Sequence, residues 1–112
     1  FYYWEETEWC LRARRTGWKV LHVPSARVWH KGVSRVYAPG PDTTYYWTRN
    51  WLLMLAKHRA PVAAWASVLG TMGRTLTAWT FRPKWRRMRS HRAAMWQGLR
   101  DFAGRRWGMR AL

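Results

Sequence analysis

Apolar positions follow three successive spacings along this chain. Residues 5–15 are a run of good helix formers in which Glu8 stands four positions before Arg12. Gly17 follows where a left-handed residue ends a helix, so a helix is predicted there. Residues 18–23, Trp-Lys-Val-Leu-His-Val, then alternate in strand fashion and stop at Pro24, and residues 26–30 read as a second short extended piece. Residues 32–41, with two Gly, one Ser and two Pro, are a predicted loop.

Helical spacing dominates the rest. Asp42 is a good N-cap for a helix from Thr43 to about His58, along which Trp47, Trp51, Met54 and Leu55 form an apolar stripe. Residues 60–81 are mostly apolar but broken by Gly70, Gly73 and Arg74. A membrane span needs about 20 apolar residues, and Arg74 at a bilayer centre would cost about 2.5–3.5 kcal/mol. Helices lying in the membrane interface are therefore expected. Residues 93–107 read as a further helix, with Trp96, Leu99 and Phe102 near one face. Composition shifts near Ala60, from a mixed α/β segment to a basic, amphipathic helical one.

With 112 residues, one domain is the most the chain forms, with a modest core. Its 11 tryptophans suit a sugar-binding surface, a membrane interface or a nucleic-acid platform. The formal net charge of +16, from 21 Lys+Arg against 5 Asp+Glu, calls for an anionic partner or an acidic remainder of the same protein. One cysteine, Cys10, excludes an internal disulfide and any multi-cysteine metal site. A chain that opens on Phe1 is expected to be a fragment, so the missing signal peptide says nothing about secretion.

Glu5, Glu6 and Glu8 are three of the five acids. At a helix start, Glu5 and Glu8 share a face and Glu6 lies about 100° away. Acids there complement the helix macrodipole, which accounts for one or two of them; catalysis is the other reading.

The residues around them favour catalysis. The run Trp4-Glu5-Glu6-Thr7-Glu8-Trp9-Cys10-Leu11-Arg12, continuing to Gly17-Trp18, resembles the segment after the acceptor site in inverting family 2 glycosyltransferases of the GT-A fold. In that family an aromatic residue precedes two adjacent acids, a third acid follows, and then come Leu-Arg, Gly and an aromatic. Residues 20–31 and Tyr45-Tyr46-Trp47-Thr48-Arg49-Asn50 also look like that family, closest to its rhamnosyltransferase and galactofuranosyltransferase members. The resemblance is dense over residues 1–58 and thinner beyond.

The resemblance implies an α/β fold class: the C-terminal part of a GT-A catalytic domain over residues 1–58, mostly helical with one or two short strands, and a basic helical extension over residues 59–112. The nucleotide-binding half and its Asp-x-Asp motif are expected upstream, so this segment alone is expected to be inactive. Glu6 matches the catalytic base, although Asp is usual there. Glu5 matches the acid that holds the acceptor sugar. Trp4 is either a sugar platform beside it or a core aromatic. Glu8 is expected to pair with Arg12 or Arg15.

His30 matches the histidine that completes a divalent metal site (Mg²⁺ or Mn²⁺), with backbone-satisfied burial as the other reading. Lys31, Ser34 and Arg35 follow it and are candidate donor diphosphate contacts. His22 is expected to be structural, and His58 and His91 to be capping or surface residues. The expected partners are a nucleotide-sugar donor and a cell-envelope glycan or lipid-linked acceptor.

Residues 84–107 interleave arginines with Trp85, Met88, Met95, Trp96, Phe102 and Trp107. That pattern fits an interfacial helix on an anionic membrane, placing the protein at the cytoplasmic face of the plasma membrane; an ordinary solvated face is the alternative. A small nucleic-acid-binding module would also use the charge and the tryptophans. The basic residues match no recognised nucleic-acid motif and the acidic triplet repels phosphate, so no nucleic acid is expected.

Overall fold

The computed structural model describes residues 3–29 and 39–110. These residues form four α-helices: α1 (Glu5–Arg15), α2 (Pro41–Lys57), α3 (Val62–Phe81) and α4 (Arg89–Ala103), with a 3₁₀ turn (Pro83–Met88) before α4.

The α/β expectation is overturned: no strand forms among the described residues. Residues 18–23 and 26–29 remain irregular and exposed, apart from a turn in which Ala26 N–H donates to the Val23 carbonyl at 3.0 Å. The physical reason is pairing. Alternation makes a segment suited to a sheet, but a strand exists only when a neighbour accepts its ladder, and none is offered among these residues. Trp18, Leu21, Val28 and Trp29 are left more than 70% exposed.

α1 ends as the glycine predicts. Gly17 takes φ +90°, and the Trp18 and Gly17 amides donate to the Ala13 and Arg14 carbonyls at 3.0 and 3.2 Å, a Schellman closure. α2 starts two residues earlier than expected, after Gly40 and with Pro41 in its first turn. Asp42 is therefore no cap: it lies inside the first turn and pairs with Arg110.

α2 and α4 pack closely because α4 presents small residues to α2. Ala94 is fully buried, and a Cβ added to Gly98 would sit 2.9 Å from the Tyr45 carbonyl oxygen. The face of α4 that packs is thus Ala94, Met95, Gly98 and Asp101. Of the three residues that the spacing puts near one face, Trp96 is 52% exposed, while Leu99 and Phe102 pack at the margin. Val68, Met72 and Leu76 of α3 recur every fourth residue and close the core over Leu52, Leu55 and Met95. No helix among the described residues is long and apolar enough to cross a membrane. Arg74 is exposed on α3.

One polar network lies inside the α2–α4 contact. Arg49, 3% exposed, donates to the Tyr45 hydroxyl and the Gly108 carbonyl, each at 2.9 Å, and to Asn50 Oδ1 at 3.1 Å. Tyr45 donates to Asp101 Oδ2 at 2.8 Å. Burial and the Asp101 carboxylate push the Tyr45 phenol above its ordinary pKa. The guanidinium also lies over the Tyr45 and Tyr46 rings, so its charge is met on several sides.

Candidate functional site

The three glutamates share the first turns of α1 but have different surroundings. Glu8 is held. Lys57 Nζ lies 2.7 Å from its Oε1, Arg12 Nε donates to its Oε2 at 2.9 Å, and His58 Nε2 lies 3.5 Å away. The Lys57 ammonium beside it, aided by Arg12, lowers its pKa from 4.5 to about 2, against a desolvation cost that acts the other way. The pairing expected with Arg12 is present; the stronger partner, Lys57, comes from α2. His58 takes the C-cap position of α2, one of the two places expected for it, and its side chain is largely buried beside this cluster.

Glu5 and Glu6 are exposed, and among the described residues neither carboxylate is ion-paired. Both line a groove of about 710 Å³ between α1 and α2, whose apolar side comprises Trp4, Trp9, Leu53 and Met54. Two open carboxylates beside aromatic and aliphatic surface can accept hydrogen bonds from hydroxyl groups and take a proton from one of them.

Trp4 lines this groove and adopts the left-handed region, φ +72°, preceded by Tyr3 at φ +66°. Both are non-glycine residues in an uncommon conformation, of the kind that persists only where surrounding contacts enforce it. Those contacts are present. The Trp4 ring stacks on Trp51 at 4.8 Å and 23°, and its Nε1 donates to the Trp47 carbonyl at 3.2 Å. Trp4 thus serves as a packed anchor that fixes the start of α1, in line with the core-aromatic alternative.

The ring free to lie along a bound ligand is Trp9, 61% exposed, which lines this groove and the next one along α1. Sequence reasoning passed over it. Its place four residues after Glu5, on the same face of α1, was the available signal.

His30, Lys31, Ser34 and Arg35, the metal and donor candidates, lie outside the described residues. Among the described residues, no three His, Cys, Asp or Glu side chains are placed to hold a metal ion. The divalent ion implied by the resemblance therefore finds no ligand set in the part described. His22 is exposed in the irregular segment rather than within a strand. His91 Nδ1 lies 2.8 Å from Thr44 Oγ1, tying α4 to α2.

Comparison with family models, with curated proteins and with solved structures finds no match to this chain.

Proposed function

We propose that this chain is the acceptor-side part of an inverting glycosyltransferase, which moves a sugar from a nucleoside-diphosphate donor to a cell-envelope glycan or lipid-linked acceptor. The observation that carries this reading is the split among the acids. In a chain with 21 cations, Glu8 is neutralised by two of them, while Glu5 and Glu6 have no ion-pair partner among the described residues and line an aromatic-sided groove. A purely electrostatic role at a helix start has no need of such a groove. The motif order around Trp4–Gly17 supports the same reading.

In this mechanism Glu5 accepts hydrogen bonds from acceptor hydroxyls and holds the sugar along Trp9. The Glu6 carboxylate takes the proton of the attacking hydroxyl as its oxygen bonds to the donor's anomeric carbon. The bond from that carbon to the diphosphate oxygen breaks in the same step with inversion, and the nucleoside diphosphate leaves with the electron pair. The proton on Glu6 then returns to solvent. The donor site and any divalent ion belong to residues outside those described, and this step is assigned to Glu6 alone. Contact with the cytoplasmic face of the plasma membrane belongs to the same reading and is peripheral.

The test is Glu6→Gln in the natural polypeptide that carries this segment, followed by transfer assays and donor-binding titration. Loss of a general base is expected to lower turnover by about 10²–10⁴-fold and leave donor affinity unchanged. Glu5→Gln is expected to raise the KM for acceptor more than it lowers kcat. Wild-type turnover in the Glu6 variant would remove the base assignment.

A further inference from the structure

The strongest concentration of charge lies away from the carboxylate groove. Residues 82–92 carry Arg82, Lys84, Arg86, Arg87, Arg89 and Arg92 and no acid. The fold gathers four of these together. α3 stops before Pro83, whose ring disfavours helical geometry at the residue before it, and Arg82 is accordingly extended (φ −93°, ψ 120°). The 3₁₀ turn then redirects the chain into α4. Arg82, Arg86, Arg89 and Arg92 thereby surround a cavity of about 390 Å³ walled by Trp79 and Pro83.

Among the described residues nothing neutralises this cluster. Of the five acids, Glu8 is held by Lys57 and Arg12, Asp42 by Arg110, and Asp101 lies with Tyr45 and Arg106. Glu5 and Glu6 line the other groove, which shares no residue with this one. Among the described residues, none of the four guanidinium groups takes part in a hydrogen bond or an ion pair. The first turn of α4 also has no acid, so its positive dipole end adds to the arginines. Four cations around one cavity, with no counter-charge among the described residues, form a site for an external anion.

Guanidinium groups suit phosphate because their planar fork donates two parallel hydrogen bonds to its oxygens. The residues flanking the cavity favour one source of phosphate. Phe81 is 78% exposed and Trp85 is 36% exposed, with Lys84 Nζ 5.3 Å from the Trp85 ring centre. Exposed rings beside unpaired cations fit a lipid interface, where rings enter the headgroup layer and cations meet phosphate. We infer that the cavity between the end of α3 and the start of α4 seats the phosphate of an anionic phospholipid headgroup, with Phe81 and Trp85 entering the interface. This deepens the membrane part of the reading above. Its residues are not those of sugar transfer, so vesicle binding and turnover fail independently.

The experiment is cosedimentation of the 112-residue chain with vesicles of phosphatidylcholine, with and without phosphatidylglycerol. A variant with Arg82, Arg86, Arg89 and Arg92 all changed to Gln is compared with a control in which Arg14, Lys19, Arg27 and Arg100, all exposed, are changed to Gln. Both lose four charges, so a general charge effect lowers binding equally. A seated headgroup is expected to cost about 5-fold per arginine and on the order of 500-fold for all four, with a far smaller loss in the control. If the fourfold variant fails to fold by far-UV circular dichroism, Arg86→Gln and Arg89→Gln singly are each expected to show the 5-fold loss.

Equal losses in cluster and control variants would overturn the inference. So would equal binding to vesicles lacking phosphatidylglycerol. Binding of inorganic pyrophosphate at the cluster without vesicle binding would assign the site to a soluble phosphate instead. Cluster-dependent binding of an RNA oligonucleotide in place of vesicles would assign it to nucleic acid.

Discussion

Arg49 on α2 and Arg12 on α1 are both tied to a residue of their own helix, yet their surroundings are opposite. Arg49 is 3% exposed, and its donors reach Tyr45, Asn50 and the Gly108 carbonyl. The Arg12 side chain is 57% exposed and meets only Glu8 among the described residues. The contrast extends to their helices. α2 is packed by α4 along its length, whereas α1 buries no residue fully and is held by the Trp4 ring, the Glu8–Lys57 pair and a bond from Arg15 to the His58 carbonyl. Cohesion resides in the α2–α4 pair, and the unpaired acids reside on the more weakly attached helix. Opening free energies are expected to follow that division, with α1 detaching at a lower cost than the core unfolds.

The sharpest way to break this comparison is to remove both arginines in turn. Arg49→Met takes away the charge that faces Asp101 through Tyr45 and removes the donor to the buried Tyr45 hydroxyl and to the Asn50 and Gly108 oxygens. A loss of about 3–5 kcal/mol is expected from urea unfolding. Arg12→Met removes one exposed pair and is expected to cost less than about 1 kcal/mol. Equal costs would mean that the buried network is no more than a decoration of the α2–α4 contact.

A second pair of variants tests the close approach itself. Gly98→Ala puts a Cβ 2.9 Å from a backbone oxygen that has little freedom to move, and about 1–3 kcal/mol of destabilisation is expected. Gly73→Ala on α3 meets open space and is expected to stabilise by up to about 1 kcal/mol through helix propensity. Thermal midpoints that move in opposite directions would confirm that α4 is positioned by a missing side chain. Midpoints that rise together would show that the two helices have room to separate.

The same residue explains what the sequence made legible. α1 and its glycine stop were readable because the signals are local: helix formers, an i,i+4 pair and one residue with φ +90°. The packed face of α4 was not legible, because the spacing of Trp96, Leu99 and Phe102 marks an apolar face, whereas the contact with α2 is made of Ala94 and Gly98. The strands were misread for a different reason. Alternation over residues 18–23 records suitability for a sheet, and no neighbour among the described residues supplies one. At the candidate site, the acids and their place at a helix start were evident. The long-range partner was not, since nothing in the order of residues brings Lys57 to Glu8 across 49 positions, the difference between their numbers.

That partner gives the smallest and most local test. Glu8 has its pKa lowered from 4.5 to about 2, first by the Lys57 ammonium and then by Arg12. A carboxylate depressed in the folded state binds its proton more weakly there than in the detached state, so its contribution is complete above the ordinary carboxylate range. The contribution falls as pH drops from about 5 and is gone near pH 2. Because the charges on Lys57 and Arg12 are more than half exposed, solvent screening limits it to about 1 kcal/mol.

Since Glu8 fastens α1 and lies outside the α2–α4 core, the loss is expected in α1 amide protection more than in the global midpoint. Hydrogen exchange of wild type against Glu8→Gln should differ in α1 at pH 6 and converge as pH approaches 2. A difference that persisted at low pH would show that α1 is held by Trp4 and shape rather than by charge. Equal α1 protection at pH 6 would place the Glu5–Glu6 groove on a helix that needs no ionic tether.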